Sequence, residues 1–470
     1  MRPKINLEPE LDFRPSNLKL TNQYYAKYEA ISRILDENPE IVELAHRDLA
    51  PALKATVGKR RRRSSFRYTS DTALRVLLCQ IVEGLSLRQV VVRVDDSQYL
   101  RRFTRIDSGP MMDFTTLCNL KNAIQAKTWK EMNRLLAGYA AAEERITGGG
   151  LRVDTTAVET NVHWPTDSSL LWDTYRVQAR LIERARTIDA EAVGTGRLHT
   201  RRAKRDYLAI TRKAAKKSGS RQSLQPLYDR LIGRVEGICD WADSVTEGLA
   251  EGLKSKRYHV IDHAIAETLV SELQHYRALG VRVIDQARRR VLEGESVPND
   301  EKLFSIFEPH TELLKRGKAG KDIEFGHMIQ IQQVEEKFIT DYAAFPSRPV
   351  EHQLVAACLE SHQELFGDYP NRLAADKGYY EGMAALRDLE KKIDVVSIAK
   401  KGKRNPEETA RETDPLFRHA QAFRAGVEGS ISFLKRVLRL TRCLNKGWDH
   451  FASTVGATVF SHNLLILARC

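Results

Sequence analysis

Apolar residues recur at intervals of three and four over most of the chain, and the period shortens to two in a few separate places. Leu74, Leu77, Leu78 and Ile81 mark one face of a helix starting near Asp71, and Gly84 marks its stop. Ser86 offers an N-cap, with Gln89 three residues on to complete a capping box, and Val90, Val91 and Val94 continue an apolar face. Helix, glycine turn, helix is the outline of a helix-turn-helix. Residues 1–50 carry helical patterns with no nameable chemistry. The run Thr147-Gly148-Gly149-Gly150 reads as a hinge, after which Leu151 to Val162 alternates in polarity among Val and Thr, as a strand does. Long helical patterns rich in Arg, Glu and Ala return from Leu170 to Val297. Strand texture resumes at Phe304–Leu313 and Phe325–Gln332, in a strand ending at Asn371–Ala375, and at Ile393–Ile398. The closing residues read as helices, with Asn463 to Ala468 as a short buried one.

These elements predict a mixed α/β fold in which one sheet is interrupted by a large helical insertion and preceded by a mostly helical N-terminal region. The expected boundaries are 1–146 for the N-terminal region, 147–169 with 300–470 for the sheet-bearing core, and 170–299 for the insertion. A chain of 470 residues is too long for one ordinary core.

Composition narrows the class. Hydrophobic residues at 42% and charged residues at 29% are ordinary for a globular protein. Lys and Arg number 75 against 62 Asp and Glu, a formal charge of +13, which favours a polyanionic partner. No stretch approaches the roughly 18–20 apolar residues of a membrane span, and Met1 to Pro15 lacks the apolar centre of a signal peptide, so a cytoplasmic protein is expected. Six widely spaced cysteines contain no Cys-x2-Cys pair, which sets zinc fingers aside and predicts reduced, mostly buried thiols.

Positive charge is concentrated. Lys59, Arg60, Arg61, Arg62, Arg63 and Arg67 form one basic run, readable as a solvated loop or as an arm on phosphates. Arg88, Arg93, Arg101, Arg102 and Arg105 decorate the helix-turn-helix and its continuation, and beside the basic run they predict a DNA-binding region. Arg201 to Lys217 carries eight basic residues against one Asp, either a solvated helix face or a further DNA contact.

The acidic candidates are fewer. Asp154 stands inside a strand among β-branched neighbours, where a carboxylate is costly to bury unless it is paired or binds a cation. Asp376 ends another strand, directly before Lys377-Gly378-Tyr379, and strand ends of α/β sheets are where ligands are met. Two such carboxylates on neighbouring strands would form half of a cage whose oxygen-only ligation selects Mg²⁺ or Mn²⁺. In a continuous helix Arg424, Glu428 and Lys435 share a face, at offsets of four and seven. That pattern suits a site holding metal and phosphodiester, and equally a salt-bridged surface helix. Glu159, Asn161 and His163 would lie on the strand face opposite Asp154, as rim residues. Asp167 reads as a turn residue or helix cap. His310 and Glu312 lie near the basic glycine loop Lys315 to Lys321. Trp164 and Trp172 suit core packing better than stacking on a base.

A resemblance joins these pieces. The run from Asp154 to Asp167 resembles the first-aspartate block of DDE transposases of bacterial insertion sequences, and Asp376-Lys-Gly-Tyr resembles their second. Arg424, Glu428 and Lys435 match the signature Tyr-x2-Arg-x3-Glu-x6-Lys, with Gln421 at the tyrosine position, and Leu74 to Asp107 resembles the N-terminal region of these enzymes. The resemblance implies an RNase H-like core in which Asp154, Asp376 and Glu428 hold two Mg²⁺ or Mn²⁺ ions for cleavage and for transfer of 3′-hydroxyl ends to target DNA. Arg424, Lys435 and Lys377 would contact DNA there, with Arg60, Arg61, Arg62, Arg63 and Arg88 doing so in the N-terminal region. Expected partners are double-stranded DNA, both transposon ends and target, and a second copy of the chain in the synaptic complex, with the protein nucleoid-associated when bound. Two alternatives remain at this point: an RNase H-like nuclease without strand transfer, and a catalytically inactive DNA-binding protein.

Overall fold

The computed structural model describes residues 17–60, 68–216, 221–315 and 322–469. Helices α1 (Lys19–Glu37), α2 (Pro39–Arg60), α3 (Ser70–Val82), α4 (Leu87–Asp96), α5 (Gln98–Phe103), α6 (Phe114–Ala123) and α7 (Ala126–Ala142) precede the sheet. The turn between α3 and α4 forms as its residues require. Gly84 takes φ +59°, and Ser86 and Gln89 exchange side-chain to backbone hydrogen bonds in a complete capping box. Leu74, Leu77, Leu78, Val90 and Val94 are buried. Arg75 is fully buried and ion-paired with Asp71 and Asp36, both at 2.7 Å, which ties α3 to α1. Arg105 joins the same two carboxylates, while Arg101 is engaged by Asp95 at 2.6 Å. Two of the arginines expected to face DNA therefore serve the fold.

The strands are β1 (Gly150–Glu159), β2 (Glu312–Lys315), β3 (Ile323–Gln333), β4 (Ile339–Ala344), β5 (Arg372–Ala375) and β6 (Val395–Ile398). They form one mixed sheet in the order β2-β3-β1-β5-β6, with β4 also paired to β3. β1 runs antiparallel to β3 and parallel to β5, and β5 runs parallel to β6. The first half of β3 pairs with β2 and the second half with β4. β4 was not among the expected strands. Conversely, the strand expected from Phe304 is irregular until Glu312, where Pro309 interrupts the ladder because it has no N–H to give. His310 instead takes a place in a part-buried chain, 2.8 Å from Glu308 and 2.7 Å from His327, which fixes β3 to the segment before β2.

Between β1 and β2 lie α8 (Asp167–Ile188), α9 (Ala190–Val193), α10 (Thr200–Ala214), α11 (Arg221–Lys254) and α12 (Val260–Ala287), ending in a π-turn at Arg288–Glu293. They close on a core of their own that includes Leu171, Leu181, Leu231, Val245 and Leu273. Trp172 stacks on Tyr175 and Tyr207 there, whereas Trp164 is 61% exposed with its ring edge-on to Phe325. Thr166, not Asp167, caps α8, and Asp167 pairs with Arg290 at 2.8 Å.

After β4 come α13 (Leu354–Phe366), α14 (Met383–Glu390), α15 (Pro406–Thr413), α16 (Pro415–Arg436) and α17 (Trp448–Leu467). The segment Asn463–Ala468, expected as a short helix, is the end of the buried 20-residue α17. Polar Ser461, His462 and Asn463 obscure that continuity in the sequence, but all three are buried, and Asn463 exchanges hydrogen bonds with Ile339 at 2.8 and 3.0 Å. The N-terminal helices, one sheet face, α16 and α17 share a single hydrophobic core. The glycine run before β1 is not a free hinge: a Cβ on Gly148 would lie 2.8 Å from Phe366, and its carbonyl accepts from His362 at 3.1 Å. Among the described residues the cysteines are unpaired, and no helix is long and apolar enough to cross a membrane.

Candidate functional site

The two aspartates meet through strand register. Val153 of β1 lies opposite Ala375 of β5 in a parallel pair, so the next residue on each strand, Asp154 and Asp376, stands beside the other. Asp376 leaves the sheet into a 3-10 turn, Lys377–Tyr379, where Asp376 and Lys377 are both exposed. Asp154, still inside β1, accepts a hydrogen bond from the Thr155 N–H at 2.7 Å and has only 15% of its side chain exposed.

Helix α16 crosses the Asp154 face. Asp414 starts it by accepting from the N–H groups of Leu416 and Phe417, with Pro415 in its first turn, and it runs unbroken through Glu428 and Lys435. Close approach depends on Gly426, because a Cβ there would run into the Arg152 guanidinium. Arg152 is buried, donating to Gln333 at 2.8 Å and to the Phe423 carbonyl at 2.9 Å. This packing brings Arg424 to both carboxylates: Nη1 lies 3.7 Å from Asp154 and Nη2 lies 3.2 Å from Glu428. The Glu428 side chain is 64% exposed. Lys435 stands in the last turn of α16, about 10 Å beyond Glu428 along the axis. Gln421, at the signature's tyrosine position, donates to the Ser397 carbonyl at 2.9 Å and to its hydroxyl at 3.0 Å, holding α16 to β6.

A further carboxylate is present that the sequence reading did not single out. Glu351, in a 3-10 turn before α13, accepts a short hydrogen bond from the Thr155 hydroxyl, and its other oxygen fills the space where any Cβ on Gly378 would stand. It belongs to no motif. Its only trace in the sequence is the glycine two residues after Asp376, where something must approach closely.

The charge balance here is acidic. The Asp154 carboxyl is pushed up from its ordinary value of 3.8 to about 6, first by burial, then by the charges of Asp376 and Glu351, against the Thr155 N–H and Arg424, which hold it down. The donors are carboxylate oxygens, the kind that suit a hard divalent cation, and such a cation would relieve the crowding that one guanidinium leaves. In arrangement, no group of three or more His, Cys, Asp and Glu side chains among the described residues is drawn together to hold a metal. Arg424 stands between Asp154 and Glu428 instead. The residues fit a hard cation in kind, with Glu428 the outermost.

The remaining expected contacts are distributed over the surface. Arg88 is exposed in the first turn of α4, 4.4 Å over the Phe114 ring. Arg60 closes α2, while Arg61, Arg62, Arg63 and Arg67 lie outside the described residues, as do residues 316–321 of the glycine loop. Glu159 pairs with Arg442 at 2.7 Å, and His163 lies 3.5 Å from Asp173, so neither is turned to the Asp154 site.

An acidic site at the ends of parallel strands, in one structure with a helix-turn-helix and a net positive chain, defines a protein suited to handling a polyanion. Residues 25–123, spanning α1 to α6 with the helix-turn-helix among them, match the family model described as transposase domain (DUF772). The match supports a transposase, a role in transposition and DNA as the molecule handled. No curated protein and no solved structure gives a significant match to the chain.

Proposed function

We propose that the protein is a DDE transposase with an RNase H-like catalytic core, which cleaves DNA at transposon ends and joins the 3′-hydroxyl ends to target DNA. The observation that carries this reading is the register of β1 and β5, which sets Asp154 and Asp376 side by side under α16. The sheet order supports it, with three antiparallel strands, β4-β3-β1, followed by two parallel ones, β5-β6. Asp154, Asp376 and Glu428 would hold Mg²⁺ or Mn²⁺, which supplies charge neutralisation for in-line displacement at phosphorus. Arg424 moves off the two carboxylates onto the phosphodiester as the site loads, because its guanidinium already stands between them. Lys377 and Lys435, before and beyond Arg424 on the same site, meet the DNA backbone. Asp154 acts in its ionised form, so the proton it keeps up to about 6 in the metal-free chain competes with the cation, and the Mg²⁺ concentration needed for activity rises as pH falls below about 6.

The test is a strand-transfer assay with Mg²⁺, pre-cut duplexes taken from the DNA that flanks the coding region, and a supercoiled target plasmid. Joined product is expected. Asp154→Ala and Asp376→Ala are expected to abolish cleavage and joining while binding to the ends persists. Cleavage without joined product would replace this reading with a nuclease, and full activity in either variant would remove that residue from the site.

A further inference from the structure

Arginines on the surface of the inserted helices are mostly paired. Arg184 of α8 lies 3.0 Å from Glu272, Arg277 of α12 lies 2.8 Å from Asp243, Arg257 lies 2.9 Å from Asp189, and Arg288 lies 2.5 Å from Glu236. Helix α10 departs from this rule. It turns Ala203, Asp206 and Ile210 inward, and Asp206, its one acidic residue, is neutralised by Arg234 at 2.5 Å. Outward it exposes Arg201, Arg202, Lys204, Arg205 and Arg212, and Lys216 follows it, also exposed. Among the described residues none of these five α10 side chains has a carboxylate partner.

The placement works against the helix itself. Four of the five charges fall within its first six residues, where the aligned peptide dipoles already present positive charge. No acidic residue stands in the first turn, and His199 at the N-cap contributes no side-chain hydrogen bond. Arg201 with Lys204, Arg201 with Arg205, and Arg202 with Arg205 are like-charged at offsets of three and four, which opposes helix formation. A solvated face optimised for the fold alone would mix signs, as the neighbouring helices do. A segment that sets local preference aside without a compensating contact inside the chain is a candidate for a contact outside it.

We infer that the outward face of α10 is a backbone-contacting surface for duplex DNA, separate from the helix-turn-helix. The choice of DNA among polyanions rests on the transposase reading above. Arg201 to Arg212 span about 16 Å of helix, the length of about five base pairs at about 3.4 Å each, so several of the side chains reach phosphates of one duplex segment. Such contacts carry no base information. They lengthen the grip on DNA beyond the recognised end, and they act through counterion release.

The experiment measures binding of the full chain to a fluorescein-labelled random-sequence 30-base-pair duplex by anisotropy, between 50 and 200 mM salt. The variant combines Arg201→Gln, Arg202→Gln, Lys204→Gln and Arg205→Gln; Arg277→Gln is a paired-arginine control and Arg88→Gln reports the helix-turn-helix. Each phosphate contact contributes about 0.9 to the log–log salt slope, so the fourfold variant loses up to about 3.6 from that slope and binds at least tenfold more weakly at 100 mM salt. Its thermal midpoint is equal to or higher than that of the unaltered chain, since repulsion has been removed, and Arg277→Gln leaves the slope unchanged. An unchanged slope in the fourfold variant, with Arg88→Gln weakened, overturns this inference and leaves the transposase reading standing. An unaltered chain that binds no duplex overturns both. Dependence on α10 for single-stranded RNA or for anionic vesicles, with the duplex slope unchanged, overturns the assignment to DNA.

Discussion

Replacing Asp154 by Asn should make the metal-free protein more stable above pH 6 while removing its activity. The carboxyl binds its proton more tightly in the folded chain than in the unfolded one, holding it up to about 6 against 3.8. Its presence therefore costs nothing well below 3.8, where both states are protonated, and the full amount above about 6. At about 1.4 kcal/mol for each pH unit the full cost is about 3 kcal/mol, already net of the Thr155 N–H and Arg424, which favour the ion. The Asn side chain keeps the shape and still accepts from Thr155, so little else changes. Integrating the linkage, the advantage of Asp154→Asn widens by about 1.4 kcal/mol between pH 5 and pH 8. The assay is thermal unfolding of both proteins in chelator-treated buffer at pH 5, 6.5 and 8, read as the difference in midpoints at each pH so that the titration of the rest of the chain cancels. A widening on the order of 1–2 °C is expected for a chain of this length. Mg²⁺ or Mn²⁺ at pH 8 should then raise the midpoint of the unaltered chain and leave that of Asp154→Asn in place. A difference constant across pH, or an Asn variant less stable at pH 8, refutes the reasoning.

Other perturbations read the same arrangement. Glu351→Gln removes one of the charges that push Asp154 up, so in that background the pH-dependent gap between Asp and Asn at 154 should narrow; an unchanged gap would mean that Glu351 does not act on the site. Gly426→Ala forces α16 off the Arg152 guanidinium, at a cost of about 1–3 kcal/mol, and should lower cleavage by displacing Arg424 and Glu428 while duplex binding is kept, as a gel shift beside a cleavage assay would show. Arg75→Ala leaves Asp36 and Asp71 facing each other across a cavity; a loss of about 3 kcal/mol is expected, tempered by Arg105, and is read from thermal unfolding and faster proteolysis of the N-terminal helices.

Much of the fold was legible where local chemistry decides it. The capping box at Ser86 and Gln89 and the stop at Gly84 depend on a few adjacent residues and form as the pattern requires; β1 forms too, but it is buried along nearly its whole length, so its alternation in polarity marks no solvent face. What the pattern missed depends on distant partners. β4 contains Asp341, which reads as a loop residue until Lys130 of α7 is there to pair with it. The end of α17 contains Asn463, whose two hydrogen bonds go to Ile339, 124 residues away. In the site, Asp154 and Asp376 were visible from strand context. Glu351 was not, because it enters from the opposite face of β1 through Thr155 and has no spacing relation to either aspartate. Glu428 had two readings, and its geometry contains both: it is an exposed i,i+4 partner of Arg424, and that same arginine reaches Asp154.

The continuity of the main core has a consequence for how recognition and chemistry are joined. A flexible tether between a DNA-binding module and a catalytic core would leave the cut site to be found by diffusion. Here the helix-turn-helix, α17, α16 and one face of the sheet share one packed interior. Gly84, the turn residue between α3 and α4, lies against the segment just after α16, where a Cβ would be 3.0 Å from the Val437 carbonyl and 3.1 Å from Arg439. The same helix that ends at this contact carries Arg424 about three turns earlier and Glu428 about two. Close-packed interiors transmit displacement instead of absorbing it, so in the proposed transposase a duplex held by α4 would stand in a set relation to α16 and Asp154. A bulkier residue at Gly84 would therefore disturb two things at once, the φ of +59° that the turn needs and the seat of α16. On the proposed reading, recognition by α4 and cleavage at Asp154 are separate in sequence but joined through this shared core, which would set the distance between a bound end and its cleavage point.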